Sequence, residues 1–395
     1  MDHLPDHIYF KDLGCRFTAV NRAFTNWMGF ENPEDLIGKT DLDLFTEEHA
    51  RQAYEDEQRI IRTGKAIIGM EEKETWPDGH ATWVSTSKMP LLDDEGRIIG
   101  TFGLSRDITE QKQAREKIDR LFHELRVKNK TLEEDLEMAR ELQTSMLPRR
   151  YPCFPSTSDE GDSAVRFHHF YKPSLSVSGD FFDVLEVSEK VAGTFICDVM
   201  GHGVRAALIA AIVRGLLKEY KHLWAQPGRL LSELNQALCA SFQADDTIFV
   251  SAFYALADLD LGEIRYANAG HPSPVCVHHP RISAAPHKLD VSKPGPALGL
   301  FKHATYDERI AKLTAGDVIL MFTDGLFEVE GKEGRVYDYP DLMDAVSQRQ
   351  NLPAAEMSRG VVEEFQRVSA NHQLTDDMCL VAMEVDRLMP GAGRG

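Results

Sequence analysis

The chain has 395 residues, 43% of them hydrophobic and 27% charged, with 44 basic against 63 acidic side chains and a net charge of −19. That length exceeds a single core and calls for two or three domains. The acidic balance lacks the basic footprint that nucleic-acid backbones require, so no nucleic-acid partner is expected.

The first segment ends near Thr109. Short β-type runs ("HIYF", "RFTAVN", "AIIGMEEKETW", "ATWVSTSKMPLL", "IIGTFGLSRDI") are separated by turn signals at Pro77-Asp78-Gly79 and Asp94-Glu95-Gly96. Between them lie short helical patterns, the longest being "EEHARQAYEDEQRIIRTG". Residues 1–109 resemble a PAS sensor domain. The resemblance rests on "VNRAFTNWMGF", "EDLIGKTDLDLF", "PDGHATWV" and the closing "GTFGLSRDITEQK". Some PAS domains hold haem through a histidine in the helix that contains His49. The plainer reading, a surface histidine in a charged helix, is preferred. "GKTDLDLF" lacks the cysteine of photoactive flavin PAS domains, and no ligand is assigned to this segment.

Residues 110–150 form the second segment. From Glu110 to Met146 there is no proline or glycine. Heptad spacing places Ile118, Leu125, Leu132, Ala139 and Met146 at one seam position, and Leu121, Lys128, Asp135 and Leu142 at the other. Two charges on the seam predict an imperfect coiled coil, hence a parallel homodimer stalk of marginal stability. A plain linker helix is the alternative. Pro148 ends it.

The third segment, residues 151–387, alternates apolar strand-like runs with helical patterns over 203–222, 228–243, 338–349 and 353–369. No serial β-α-β order is visible, which predicts an α/β sandwich with long-range strand pairing. The whole chain is thus of α+β class. Aspartates stand repeatedly at the edges of its apolar runs: "SGDFFD" (Asp180, Asp183), "CDVMGHG" (Asp198), "FTDGLFE" (Asp324) and "TDDMCL" (Asp376, Asp377). Each alone reads as an ordinary turn or strand end. Together they would repel one another unless spread apart or neutralised by cations, and all-oxygen donors suit Mg²⁺ or Mn²⁺. Gly201, Gly203 and Ala206 also fit G-x-G-x-x-A. A dinucleotide site would need a second strand ending in an acid about 20 residues on. Helix continues there instead.

The motifs "SGDFFDV", "CDVMGHGVRAAL", "YANAGHPSPV", "FTDGLFE" and "LTDDMCLV" occur in the order of the metal-dependent protein phosphatase (PPM) family. They are most similar to its SpoIIE-type bacterial branch, and "EMARELQTSMLPRRYP" is similar to that branch's helix-to-phosphatase junction. The resemblance implies a signal-regulated serine/threonine phosphatase with two Mn²⁺ or Mg²⁺ ions. Asp198 matches the bridging ligand, with the Val199 carbonyl beside it. Asp180 matches a ligand to the second metal, while Asp324 and Asp376 match ligands to the first. "TDDM" leaves Asp377 as an alternative to Asp376. His202 is a candidate general acid for the leaving serine oxygen. Animal members place that histidine two residues after the bridging aspartate; here it stands four after, and a structural role at the helix start carries equal weight. Asn268 and His271 match a motif that shapes a loop near the site. The animal enzymes' phosphate-binding arginine has no counterpart, which points to recognition through the protein partner. The branch typically dephosphorylates STAS-domain anti-sigma factor antagonists. A non-catalytic PAS-dimer scaffold is the competing reading, and it predicts missing ligands, whereas all four are present. Scattered cysteines, no apolar run of membrane-spanning length and no signal-peptide pattern lead to the expectation of a cytoplasmic protein.

Overall fold

The computed structural model describes residues 3–76, 78–242, 248–278, 285–289, 294–327, 329–330, 336–368 and 376–389. Pro77 of the first predicted turn, the outermost predicted helix positions 243 and 369, Glu328 of "FTDGLFE" and Leu374-Thr375 of "LTDDMCLV" lie outside the described residues. The chain divides into two compact units, 1–130 and 131–395.

In the first unit, strands β1 (His7–Asp12), β2 (Phe17–Val20), β3 (Ile67–Thr75), β4 (Ala81–Leu92) and β5 (Ile98–Asp107) form one antiparallel sheet in the order β2-β1-β5-β4-β3. Helices α1 (Arg22–Trp27) and α2 (Glu47–Thr63) lie between β2 and β3. Asn21 caps α1 by accepting from the Phe24 amide. Tyr9, Phe17, Val20, Phe24 and Leu36 make its apolar core. Lys11 is also fully buried, paired with Asp41 and with Glu57, whose Oε1 is 2.6 Å from the ammonium. His49 departs from the expected surface position. It is half-buried with its ring against Phe45, and this burial lowers its pKa.

Helix α3 (Thr109–Met146) runs unbroken for 38 residues and has no buried residue. Ile118, Leu121, Leu125, Leu132 and Leu142 on it are each at least half exposed in the single chain.

The second unit is a sandwich of two five-stranded antiparallel sheets. One contains β7 (Phe181–Ser188), β8 (Val191–Val199), β9 (Val250–Asp258), β10 (Glu263–Ala269) and β13 (Arg309–Lys312), in the order β13-β10-β9-β8-β7. The other contains β6 (Val165–Lys172), β11 (Val275–Val277), β12 (His287–Lys288), β14 (Val318–Phe322) and β17 (Met378–Val385), in the order β12-β11-β14-β17-β6. A two-stranded ribbon, β15 (Val329–Glu330) and β16 (Val336–Tyr337), follows β14. Helices α4 (Val204–Glu219) and α5 (Pro227–Ser241) pack on the first sheet, and α6 (Tyr339–Ser347) and α7 (Ala354–Val368) belong to the second.

Strand periodicity explains the layering. In β14, Ile319 and Met321 join the core between the sheets, while Val318, Leu320 and Phe322 join the core under α6 and α7. β17 alternates in the same way: Cys379, Val381 and Met383 inward, Met378, Leu380 and Ala382 outward. Both faces of these strands are buried, so polar residues are pushed to their ends. The aspartates sit there.

Candidate metal centre

Asp180 immediately precedes β7 and Asp198 is the penultimate residue of β8. The β7–β8 register pairs Phe181 with Cys197, so continuing it by one step sets Asp180 beside Asp198. In the other sheet, β14 ends at Phe322 opposite Leu380 of β17. Asp324 follows β14 in a single 3₁₀ turn, and Asp376 and Asp377 lead into β17. Four strand ends from two sheets therefore meet at one edge of the sandwich, close enough for their carboxylates to act on one another, and the space they share is called the cleft below.

Hydrogen bonds across the sandwich hold these ends together. Buried Thr323 donates from Oγ1 to Asp180 Oδ2 at 2.7 Å and accepts from the Cys379 amide at 3.0 Å. Asp377 is buried and has both oxygens engaged. Oδ1 accepts from the Ser174 amide (2.7 Å) and hydroxyl (2.9 Å), and Oδ2 accepts from the Gly179 amide (2.7 Å). Asp376 is the most exposed of the acids. Its Oδ1 accepts from the Asp377 amide at 2.8 Å.

Two glycines are required by close approach. A Cβ at Gly325 would lie 1.9 Å from the Asp377 carbonyl oxygen, and one at Gly179 would lie 2.9 Å from the Val199 carbonyl oxygen. The second contact also places that carbonyl against the loop leading to Asp180. Gly201 and Gly203 both have positive φ (88° and 81°), turning the chain between β8 and α4.

The electrostatics are those of crowded acids. Burial, reinforced by the charges of Asp198, Asp377 and Asp324, holds Asp180 well above the usual carboxylate range; the Thr323 hydrogen bond opposes this. Burial together with Asp324, Asp376 and Asp377 pushes Asp198 up to about 7. Partial burial raises Asp376, and nearby His202, which is exposed, works in the opposite direction. Among the described residues, no three of these acids bring oxygens within 4.8 Å of one another. Protein oxygens that raise each other's pKa and lie open to a cleft fit hard divalent cations.

Not every acid at a strand edge belongs to the cleft. Asp183 lies three residues further along β7, opposite Phe195, and its carboxylate pairs with Lys218 of α4 at 2.7 Å. Asn268 and His271 brace the turn after β10. The Asn268 amide group donates to the His271 carbonyl (2.9 Å), and the His271 amide donates to Asn268 Oδ1 (2.8 Å). The His271 ring reaches Ser251 Oγ at 2.8 Å, and Ser251 pairs with Asp198 in the β8–β9 ladder. Burial lowers His271 to about 3, so it is neutral at physiological pH.

One contact has no local signature in sequence. The Gln143 side chain near the end of α3 grips the Ser178 backbone, with Nε2 donating to the carbonyl (2.6 Å) and Oε1 accepting from the amide (2.9 Å). Ser178 Oγ in turn accepts from the Asp180 amide at 3.0 Å.

Residues 188–386 match the family model "Stage II sporulation protein E (SpoIIE)", and residues 1–113 match a PAS fold model. Phosphoserine phosphatase RsbP of Bacillus subtilis is 26% identical over 253 residues, 64% of this chain and 58% of that protein. The chain thus spans less than two thirds of that relative. Phosphoserine phosphatase RsbU of B. subtilis is 24% identical over 252 residues, 64% of this chain and 70% of its own. The SiaA-PP2C domain of Pseudomonas aeruginosa superposes with a TM-score of 0.55 at 20% identity, covering 65% of this chain and 98% of that domain, so the fold is shared. With the matched region spanning half of its length, the chain belongs to the SpoIIE family and carries a PAS fold at its N-terminal end.

Proposed function

We propose that this protein is a metal-dependent phosphoserine/phosphothreonine protein phosphatase whose second unit is regulated through its PAS segment. The observation that carries the reading is the convergence of strand-end carboxylates from both sheets, with Asp198 raised to about 7 by its neighbours. Asp180, Asp198, Asp324, Asp376 and the Val199 carbonyl would hold two Mn²⁺ or Mg²⁺ ions. When bound, the ions supply Lewis acidity toward water and the phosphoryl group. Thr323 orients Asp180, and Asp377 fixes the loop that carries it, so Asp377 is a brace and Asp376 the ligand. His202, exposed and near enough to Asp376 for its charge to act there, is the proposed general acid for the departing serine oxygen.

The proposed substrate is a phosphorylated STAS-domain protein in a partner-switching pathway of sigma-factor control. RsbP and RsbU, both named as phosphoserine phosphatases, support the reaction class. The proposed bounds are 1–109 for the sensor, 110–150 for the stalk and 151–387 for the phosphatase. The uncovered apolar side chains of α3 support a parallel homodimer. Among the described residues no helix is long and apolar enough to cross a membrane. The test is Mn²⁺-dependent phosphate release by the full chain from phosphorylated STAS proteins of the same genome. Release that ignores EDTA, or persists in Asp198→Asn, would refute the metal reading.

A further inference from the structure

A second group of ligand-type side chains lies at the opposite end of β14. Asp317 precedes the first residue of that strand and Asp324 follows its last. At about 3.3 Å per residue the strand separates the two places by roughly 20 Å. Cys276 of β11 pairs directly opposite His287 of β12. His278, two residues beyond Cys276, emerges on the same face because strand side chains alternate. Ligand atoms of Cys276, His278 and His287 all lie within 4.8 Å of one another, a condition no other group of His, Cys, Asp and Glu meets among the described residues. The two imidazole rings have centroids 4.9 Å apart.

The surroundings are built as well. Asp317 is fully buried, and its Oδ1 lies 2.9 Å from His278 Nδ1 while Oδ2 accepts from the Thr314 amide at 2.7 Å. A carboxylate on Nδ1 is the outer-shell arrangement that orients a metal-binding histidine, and it leaves Nε2 of His278 as the donor atom. One sulfur and two nitrogens form a borderline-soft set, unlike the all-oxygen cleft, and it selects zinc over magnesium or calcium.

We propose that Cys276, His278 and His287 bind one Zn²⁺, separate from the acidic cleft, with Asp317 positioning His278. Tetrahedral zinc, with bonds of about 2.0–2.3 Å, holds its ligand atoms roughly 3.3–3.7 Å apart. His287 is exposed and sits on a two-residue edge strand, so its side chain has room to move toward the other two. The metal takes the thiolate, and the Cys276 proton leaves to solvent. Water completes the fourth position. β12 is paired to β11 at only two positions, and the ion pins that edge hairpin.

The experiment uses the full chain, stripped with EDTA and titrated with Co²⁺ as a spectroscopic stand-in for Zn²⁺. A thiolate-to-cobalt charge-transfer band is expected, saturating at one equivalent and displaced by Zn²⁺. Asp198→Asn should keep the band, and Cys276→Ser should abolish it. Asp317→Asn should weaken binding about 10- to 100-fold. Should Cys276→Ser fail to fold, His287→Gln alters only an exposed residue and should weaken binding at least as much. Zn²⁺ should also raise the melting temperature of Asp198→Asn but not of Asp198→Asn/Cys276→Ser. No band in the unaltered chain, or a band that survives either Cys276→Ser or His287→Gln at full affinity, would overturn the proposal.

Discussion

Thr323 and Asp180 are 143 residues apart in the chain, yet a 2.7 Å hydrogen bond joins them in the floor of the cleft. The bond ties the last turn of β14 to the first residue before β7. It also gives a buried carboxylate of the site a donor that favours its charged form. Thr323→Val should therefore make Asp180 harder to ionise and weaken Mn²⁺ binding about 10- to 100-fold at neutral pH. Raising the pH should recover part of the loss. Thr323→Ser keeps the hydroxyl and should stay close to the parent. Mn²⁺ titrations of phosphate release at several pH values measure all three.

The second prediction concerns pH and stability without metal. Asp198 titrates near 7 in the folded protein against an ordinary value of 3.8. Between these values the folded state holds a proton that the unfolded state has released, so stability falls as pH rises through this window and levels off above 7. At about 1.4 kcal/mol per pKa unit the effect is of order a few kcal/mol. Asp198→Asn should flatten the slope and melt higher at pH 7, while losing at least about a hundredfold in Mn²⁺-stimulated hydrolysis of an aryl phosphate. Saturating Mn²⁺ should flatten the slope of the parent. Thermal melts from pH 4 to 8 in EDTA and in Mn²⁺ provide the readout.

Asp376 and Asp377 should separate cleanly despite being neighbours. Asp377→Asn puts an amide where three donors converge on a buried carboxylate. It should lower folding stability by about 1–3 kcal/mol. Asp376→Asn alters an exposed side chain, so it should leave the urea midpoint nearly unchanged and remove metal-dependent turnover. The reverse pattern would exchange their roles.

Gln143→Ala deletes both bonds from α3 to Ser178. Each contributes about 0.5–1.5 kcal/mol, too little to unfold the unit. The effect should appear in the site: several-fold weaker Mn²⁺ affinity or lower turnover, because Asp180 loses the support of its loop. Unaltered metal dependence would make the end of α3 a tether only.

The stalk gives a fifth test. Lys128 and Asp135 interrupt an otherwise apolar seam on a helix with no buried residue in the single chain. Lys128→Leu together with Asp135→Leu should tighten a parallel dimer. If the stalk transmits the sensor state by repacking, activity in this variant should sit at one extreme and stop responding. Sedimentation and phosphate release on the same protein distinguish a switch from a tether. A protein that stays monomeric throughout removes the coiled coil.

Much of the architecture was legible from local pattern. The period-two runs marked the strands, the predicted helix 353–369 meets α7 at Ala354–Val368, and the Gly- and Pro-free stretch meets α3. Four of the five motifs also put an aspartate at a strand end, where a strand buried on both faces most readily accommodates charge; Asp183, inside β7, is matched by Lys218 instead. What local pattern does not encode is which strands pair. β6 and β17 lie side by side, with Val165 opposite Val385, although the rest of the domain separates them in sequence. Only that long-range pairing brings the acids to one cleft. It also surrounds Asp377 with donors from Ser174 and Gly179 while Asp376 faces solvent, and a separate tertiary contact pairs Asp183 with Lys218 of α4. Periodicity reports which face of an element is buried. The partner that buries it is chosen by the packing of the whole chain.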